Sequence, residues 1–243
     1  MSSLLRVLVG LGNPGSQYDR TRHNAGFEVV DRLAQRLGVH SWKNDFSGAI
    51  GEIRLEDTAK RAAGESSETR LLLVKPQTYM NLSGSCVQPL LAFYKVALKD
   101  CLVAVDDINL GPGELRLKQT GSHGGHNGLR DLQARLGTVD YPRLRIGVGR
   151  PASGDSQVGH VLGRFSPEEW TAVDGGLAAA VDLAERFARG GFGAAQKWWS
   201  QICQEQEAAE RKERIRKETE RRHAAEARRR KEGNQTQDGT AGA

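Results

Sequence analysis

The chain carries only three cysteines in 243 residues, Cys86, Cys101 and Cys203. They are an odd set with no CxxC spacing and no histidine pair near them, which excludes a disulfide scaffold or a cysteine-based zinc site. Aromatic residues make up 6% of the chain, and nowhere do 18 apolar residues follow one another, so no membrane-spanning helix is expected. Strand-like sequence begins at Leu4, leaving no room for the charged and apolar regions of a secretory signal, and a cytoplasmic protein is the expectation. No serine or cysteine stands in a nucleophile elbow; Ser83 and Ser122 read as loop or helix-cap hydroxyls.

Charge of one sign is not in large excess. Residues 204–243 hold eleven Lys/Arg against nine Asp/Glu, and the remainder of the chain 24 against 21. The net of +5 favours anionic partners such as RNA without specifying one.

Apolar, β-rich runs recur at residues 4–11, 49–55, 70–75, 101–106, 114–118 and 144–148. Stretches of helical periodicity lie between and after them at 25–37, 83–96, 128–136 and 167–189. This alternation predicts an α/β domain over residues 1–203, with a central mixed, mostly parallel sheet flanked by helices. The segments 56–68 and 151–157 read as surface loops. Over 204–232, Glu→Arg/Lys pairs four apart (Glu207/Arg211, Glu210/Arg214, Glu213/Lys217, Glu218/Arg222, Glu226/Arg230) predict a charged, solvated helical extension. Residues 233–243 have nothing to bury and are expected to be disordered.

The chemistry concentrates around one histidine, His23. It lies between two glycine- and asparagine-bearing turns, Gly10-Leu11-Gly12-Asn13-Pro14-Gly15 and His23-Asn24-Ala25-Gly26. Asparagine turns recur at Tyr79-Met80-Asn81-Leu82-Ser83-Gly84 and Gly124-Gly125-His126-Asn127-Gly128. A titratable ring among neutral amides suits activation of water beside an uncharged carbonyl. Taken alone, His23 reads as a cap or core histidine; Asp106 changes that, because it ends a predicted strand, where open α/β sheets place their ligand sites. A carboxylate there can hold one imidazole nitrogen and leave the other to face water. His123 and His126 have no third ligand at a plausible spacing, so no metal is expected.

These residues belong to longer motifs. Val9–Gly15, Tyr18, Thr21–Gly26, Lys75–Gly84, Asp106-Asp107, Gly124–Leu129 and Arg143–Gly149 occur in the order found in bacterial-type peptidyl-tRNA hydrolases, which the chain closely resembles over residues 4–200. The resemblance implies hydrolysis of the ester between a peptide and the 3′ ribose of tRNA, releasing both from abandoned translation. It implies His23 as catalytic base, Asp106 as its orienter and Asn13 in the active site. Tyr18, Met80, Asn81 and Asn127 then bind substrate, while Lys118 and Arg145 hold a tRNA phosphate. It implies no cofactor and a monomer. Asn109 departs from the pattern, standing where a second aspartate often occurs.

Two other readings fit parts of the sequence. One is a catalytically idle RNA-binding relative of the organellar splicing-factor type; the retained His23, Asp106, Asn13, Asn81 and Asn127 argue for the enzyme. The other is a dinucleotide enzyme, since Gly10, Gly12 and Gly15 satisfy GxGxxG after a strand. That fingerprint needs a helix to start within the glycine run, and Pro14 to Arg20 reads as a loop. A last expectation is RNA or ribosome contact through the Arg- and Lys-bearing extension.

Overall fold

The computed structural model describes residues 4–56 and 68–238, with side chains through His223 in the C-terminal stretch. The loop expected between Glu56 and Glu68 and the last five residues lie outside the described ones. Among the described residues seven strands form one sheet: β1 (Leu4–Gly10), β2 (Trp42–Asp45), β3 (Gly48–Glu56), β4 (Glu68–Pro76), β5 (Cys101–Asp107), β6 (Leu115–Lys118) and β7 (Arg143–Gly147), in the order β2-β3-β4-β1-β5-β7-β6.

The central strands β4, β1, β5 and β7 pair in parallel, and β2, β3 and β6 join them antiparallel at the flanks. The sequence accounts for this arrangement. Val7-Leu8-Val9, Leu71 to Val74 and Leu102 to Val105 are apolar without alternation and fully buried, as strands covered on both faces must be. The outer strand β2, Trp-Lys-Asn-Asp, is polar and exposed. Its charged side chains suit an edge and also hid it from a reading based on apolar runs.

The helices α1 (Ala25–Leu37), α2 (Ser83–Phe93) and α3 (Asn127–Leu136) match the helical periodicity closely. Val29, Val30, Leu33 and Ala34 bury one face of α1, and Gly38 ends it at φ 74°, the left-handed conformation that glycine adopts without strain. The short helix α4 (Gln157–Leu162) was not expected, although Ser156 caps it by accepting from the Gly159 N–H. Its six residues are too few to carry a periodic signal, so the surface loop read there ends where this helix begins.

A final helical run, α5 (Pro167–Asp238), is interrupted at Gly191 (φ 74°, ψ −173°). Before the break, Val173, Leu177, Ala180, Val181, Ala184 and Phe187 form its buried stripe. The run continues past Glu232, where composition placed the end of helix. The chain divides into two compact units, Met1–Gln196 and Lys197–Ala243.

The glycine run carries no α-helix N-terminus: β1 ends at Gly10, a single 3-10 turn follows at Ser16–Tyr18, and α1 begins only at Ala25. Gly10 and Gly26 serve close packing instead. A Cβ on Gly10 would strike the Gly26 carbonyl, and one on Gly26 would strike the Ala104 carbonyl and the Leu11 amide. The start of α1 thus rests against the ends of β1 and β5. The dinucleotide reading lacks its defining geometry.

Candidate active site

The chain leaves β1 toward β2–β4 on one side of the sheet, and β5 lies on the other. A crevice at such a switch point, beyond the carboxyl ends of parallel strands, is where open α/β sheets bind ligands. Asn13 follows β1, Met80 follows β4 and Asp106 stands at the end of β5. His23 occupies a 3-10 turn over Arg22–Asn24, held by Arg22, whose backbone N–H donates to the Gly163 carbonyl and whose guanidinium donates to Arg164 O (2.8 Å) and Glu169 Oε2 (2.7 Å).

His23 Nδ1 lies 2.9 Å from Asp106 Oδ1, with both side chains buried. A second imidazole reaches the same oxygen: His126 Nε2 is also 2.9 Å from Asp106 Oδ1, and the two rings are 4.9 Å apart. The tautomer of His126 follows from its other nitrogen. His126 is the N-cap of α3, and its Nδ1 accepts from the Leu129 N–H at 3.3 Å, so the proton sits on Nε2 and is donated to Asp106. Asp106 as an ionised acceptor receives His23 Nδ1–H as well, leaving the lone pair on His23 Nε2, which makes no hydrogen bond among the described residues.

The electrostatics agree with this arrangement. Burial opposes ionisation of Asp106, but the attraction of His23 and His126 and the bonds they donate outweigh it, holding the carboxyl below the usual carboxylate range. Burial likewise opposes protonation of His23; the Asp106 charge and hydrogen bond overcome it and raise the imidazole above its ordinary 6.5. Burial pushes the Cys86 and Cys101 thiols up to about 12, so neither supplies a thiolate nucleophile.

Asn13 is fixed by its neighbours. Asn24 Oδ1 accepts from the Asn13 backbone N–H (2.8 Å), and Asn24 Nδ2 donates to the Asn13 carbonyl (3.0 Å). Asn13 Oδ1 accepts from the Met80 N–H at 2.8 Å, which leaves the Asn13 Nδ2 group as the amide's uncommitted donor. The sequence reading missed Asn24 and His126 as site residues. Both stand inside quoted motifs, but only the fold aims one at Asn13 and the other at Asp106.

A cleft of about 230 Å³ opens over this cluster, lined by His23, Asp106, His126, Asn127, Arg145 and Val158 among others. Asn127 is exposed on its rim, with Oδ1 accepting from Arg130 (3.1 Å). Met80 is buried, Asn81 exposed and Tyr18 half-buried; none of the three lines this cleft.

Lys118 and Arg145 differ from one another. In the antiparallel β6–β7 register Lys118 opposes Arg143 and Arg116 opposes Arg145, so these four cations share one face of the sheet. Lys118 is exposed, whereas Arg145 donates to Asp107 Oδ2 (2.9 Å) and to the Ser122 carbonyl (2.8 Å). Fully buried Arg143 stacks over Tyr141 (4.2 Å) and donates to the carbonyls of Gly121, Ser122 and Val139. The loop leading to His126 is thus held by two arginines.

The expectation that His126 has no ligand partners is corrected by the fold. His23, Asp106 and His126 bring one donor atom each within 4.8 Å of one another, without His123. With a proton on each N···O line at 2.9 Å, the three satisfy each other; a zinc ion would need both N–H groups deprotonated and ligands at about 2.0–2.2 Å.

Residues 7–209 match the family model described as peptidyl-tRNA hydrolase. The chain belongs to that family. It is 45% identical over 188 residues to the peptidyl-tRNA hydrolase of Halalkalibacterium halodurans, covering 77% of this chain and 96% of the relative. It is 46% identical to that of Geotalea daltonii, covering 77% and 92%. Among solved structures it resembles a complex of peptidyl-tRNA hydrolase with N-propanol (TM-score 0.68, 40% identity, 81% of this chain and 94% of that one). The Acinetobacter baumannii peptidyl-tRNA hydrolase gives 0.66 at 40% identity, covering 78% and 91%. Residues 210–243 lie outside the family match.

Proposed function

We propose that this peptidyl-tRNA hydrolase family member cleaves the ester joining a peptide to the 3′ ribose of tRNA, with His23 as general base, Asp106 as its orienter and Asn13 as electrostatic partner of the reacting carbonyl. The observation that carries the reading is the His23 Nδ1–Asp106 bond, which leaves Nε2 unengaged in a residue lining an open cleft. Nε2 takes a proton from water as its oxygen attacks the acyl carbon. The carbonyl oxygen gains negative charge and receives a hydrogen bond from Asn13 Nδ2. On collapse the carbon–oxygen bond to the ribose breaks, and the imidazolium returns its proton to the departing 3′ oxygen. Base assistance of this kind contributes ~10²–10⁴-fold, and aimed amide donors add to it.

His126 has a positioning role in this scheme. By donating from Nε2 it holds the Asp106 carboxylate in place without competing for the His23 Nε2 lone pair. Met80, Asn81, Asn127 and Tyr18 are assigned to binding the peptide and the 3′ end. Lys118 and Arg145 are assigned to a tRNA phosphate, Lys118 as the free charge and Arg145 through the guanidinium that Asp107 orients. The reading includes action as a monomer in the cytoplasm without a cofactor, a catalytic unit ending near residue 203, and RNA or ribosome contact through the C-terminal extension. No observation favours an idle RNA-binding relative.

A release assay with N-blocked aminoacyl-tRNA tests the reaction. Free tRNA should accumulate at the same rate with and without chelator; no release, or release abolished by chelation, would refute the proposed chemistry.

A further inference from the structure

The modest net charge of the extension conceals a polar distribution. Residues 204–210 carry three glutamates and no cation, whereas 211–231 carry eleven Lys/Arg against Glu213, Glu218, Glu220 and Glu226, a net of +7. Those 21 residues are helical and span about 30 Å.

The glutamates do not neutralise this stretch. Among the described residues Glu213 pairs with both Arg216 (2.8 Å) and Lys217 (3.4 Å), and Glu220 with Arg216 again (3.2 Å). Two carboxylates therefore serve the same two cations. Among the described residues Arg211, Lys212, Arg214, Arg221 and Arg222 meet no carboxylate, and all five are exposed. Of the Glu→Arg/Lys pairs expected from spacing, Glu213/Lys217 forms, Glu207/Arg211, Glu210/Arg214 and Glu218/Arg222 do not, and Glu226/Arg230 lies outside the described side chains.

The same stretch offers nothing for an apolar partner. From 211 to 231 its apolar residues are Ile215, Ala224, Ala225 and Ala227, of which only Ile215 is large, and Ile215 is 53% exposed. A helix that docks in a protein groove or lies in a membrane interface needs an apolar stripe, and this one has none. Dense cation without apolar surface matches a polyanion that presents regularly spaced charge to water.

We infer that the helix over residues 211–231 is a phosphate-binding arm that holds structured RNA by its backbone, independently of base sequence and of the active site, with Arg211, Lys212, Arg214, Arg221 and Arg222 as principal contacts. This deepens the RNA contact included in the reading above and rests on it. It gives the enzyme a second, non-catalytic hold on its RNA surroundings.

The test uses the full chain and a 20-base-pair RNA duplex with 5′-hydroxyl ends and no 3′ overhang, which offers the active site neither ester nor terminal phosphate. Each neutralised phosphate contributes about 0.7–0.9 to the salt slope, so five contacts weaken binding ~10²–5×10²-fold between 50 and 200 mM salt. Replacing all five cations with Gln should lower the salt slope by about 3.5–4.5, so that the loss of affinity between 50 and 200 mM salt shrinks by ~10²–5×10²-fold, and should weaken binding at 50 mM, while tRNA release at saturating substrate stays unchanged. A Gln variant that keeps wild-type duplex affinity overturns the inference, as does tighter binding to phosphatidylserine vesicles than to the duplex. If circular dichroism shows that the Gln variant has lost helix, an all-Lys variant of the same positions decides: retained affinity supports the arm and lost affinity overturns it. A chain that binds the duplex but releases no tRNA refutes the catalytic reading and leaves the arm standing.

Discussion

Replacing Asp106 with Asn keeps the size of the side chain and removes its charge, and the site geometry defines two consequences. Two N–H groups converge on Oδ1 at 2.9 Å, so the amide oxygen takes that position and keeps His23 in its working tautomer. What is lost is the carboxylate that stabilises the imidazolium formed when water is deprotonated. A unit charge about 4 Å away is worth about 4 kcal/mol at the effective dielectric of a partly screened site, an upper bound on the loss. The rate should therefore fall by ~10²-fold or more, within the range that base catalysis supplies.

The pH profile moves as well, and its direction is fixed. His23 works deprotonated, and burial lowers its pKa while Asp106 raises it above 6.5. In the wild type, kcat/KM should rise with pH through a midpoint above 6.5. Without the carboxylate burial prevails, so D106N should reach its lower plateau through a midpoint below 6.5. Single-turnover release of tRNA from pH 5 to 9 measures both. An unchanged rate, or a midpoint that stays or rises in D106N, would refute the reasoning.

Four further outcomes follow from the packing. Asn24→Ala removes both bonds that fix the Asn13 backbone and should cost about 2 kcal/mol in urea unfolding, with a larger fall in kcat than rise in KM. Arg143→Met strands the carbonyls that hold the loop before His126; a loss of about 3 kcal/mol is expected, and a stability within error of wild type would contradict the strut assignment. Lys118→Ala should reduce the salt slope of tRNA binding by about 1 with little change in kcat. Asp106, whose folded-state pKa is depressed, contributes stability that is present above about pH 4 and lost as pH falls through the folded value; D106N should therefore show a shallower loss of stability below pH 4, by acid titration of the urea midpoint.

Much of the fold was legible because the parallel core announces itself. Val7 to Val9, Leu71 to Val74 and Leu102 to Val105 have no polar alternation, and α1 has both a clean apolar face and a glycine stop. Asp106 was readable as a carboxylate at the end of a buried strand, and the fold brings His23, 83 residues away in sequence, to within 2.9 Å of it. What escaped lay where local pattern is weak. The strand β2 is a tryptophan and three polar residues at an edge, and α4 is too short for a period even with Ser156 capping it. His126 escaped for another reason: nothing local in its glycine-rich run ties it to a carboxylate twenty residues earlier, and only the fold brings its Nε2 to Asp106. The ion pairs of the extension show the opposite error, since spacing alone overstated them. Three of the expected pairs do not form, because a long side chain at i, i+4 has other rotamers and water competes.

The central claim is that one imidazole performs the proton transfer, and His23→Ala tests it most directly. Release of tRNA from N-blocked aminoacyl-tRNA should be lost in this variant, while its urea midpoint and tRNA affinity remain close to those of the wild type. Release at the wild-type rate from a folded His23→Ala protein would contradict the account.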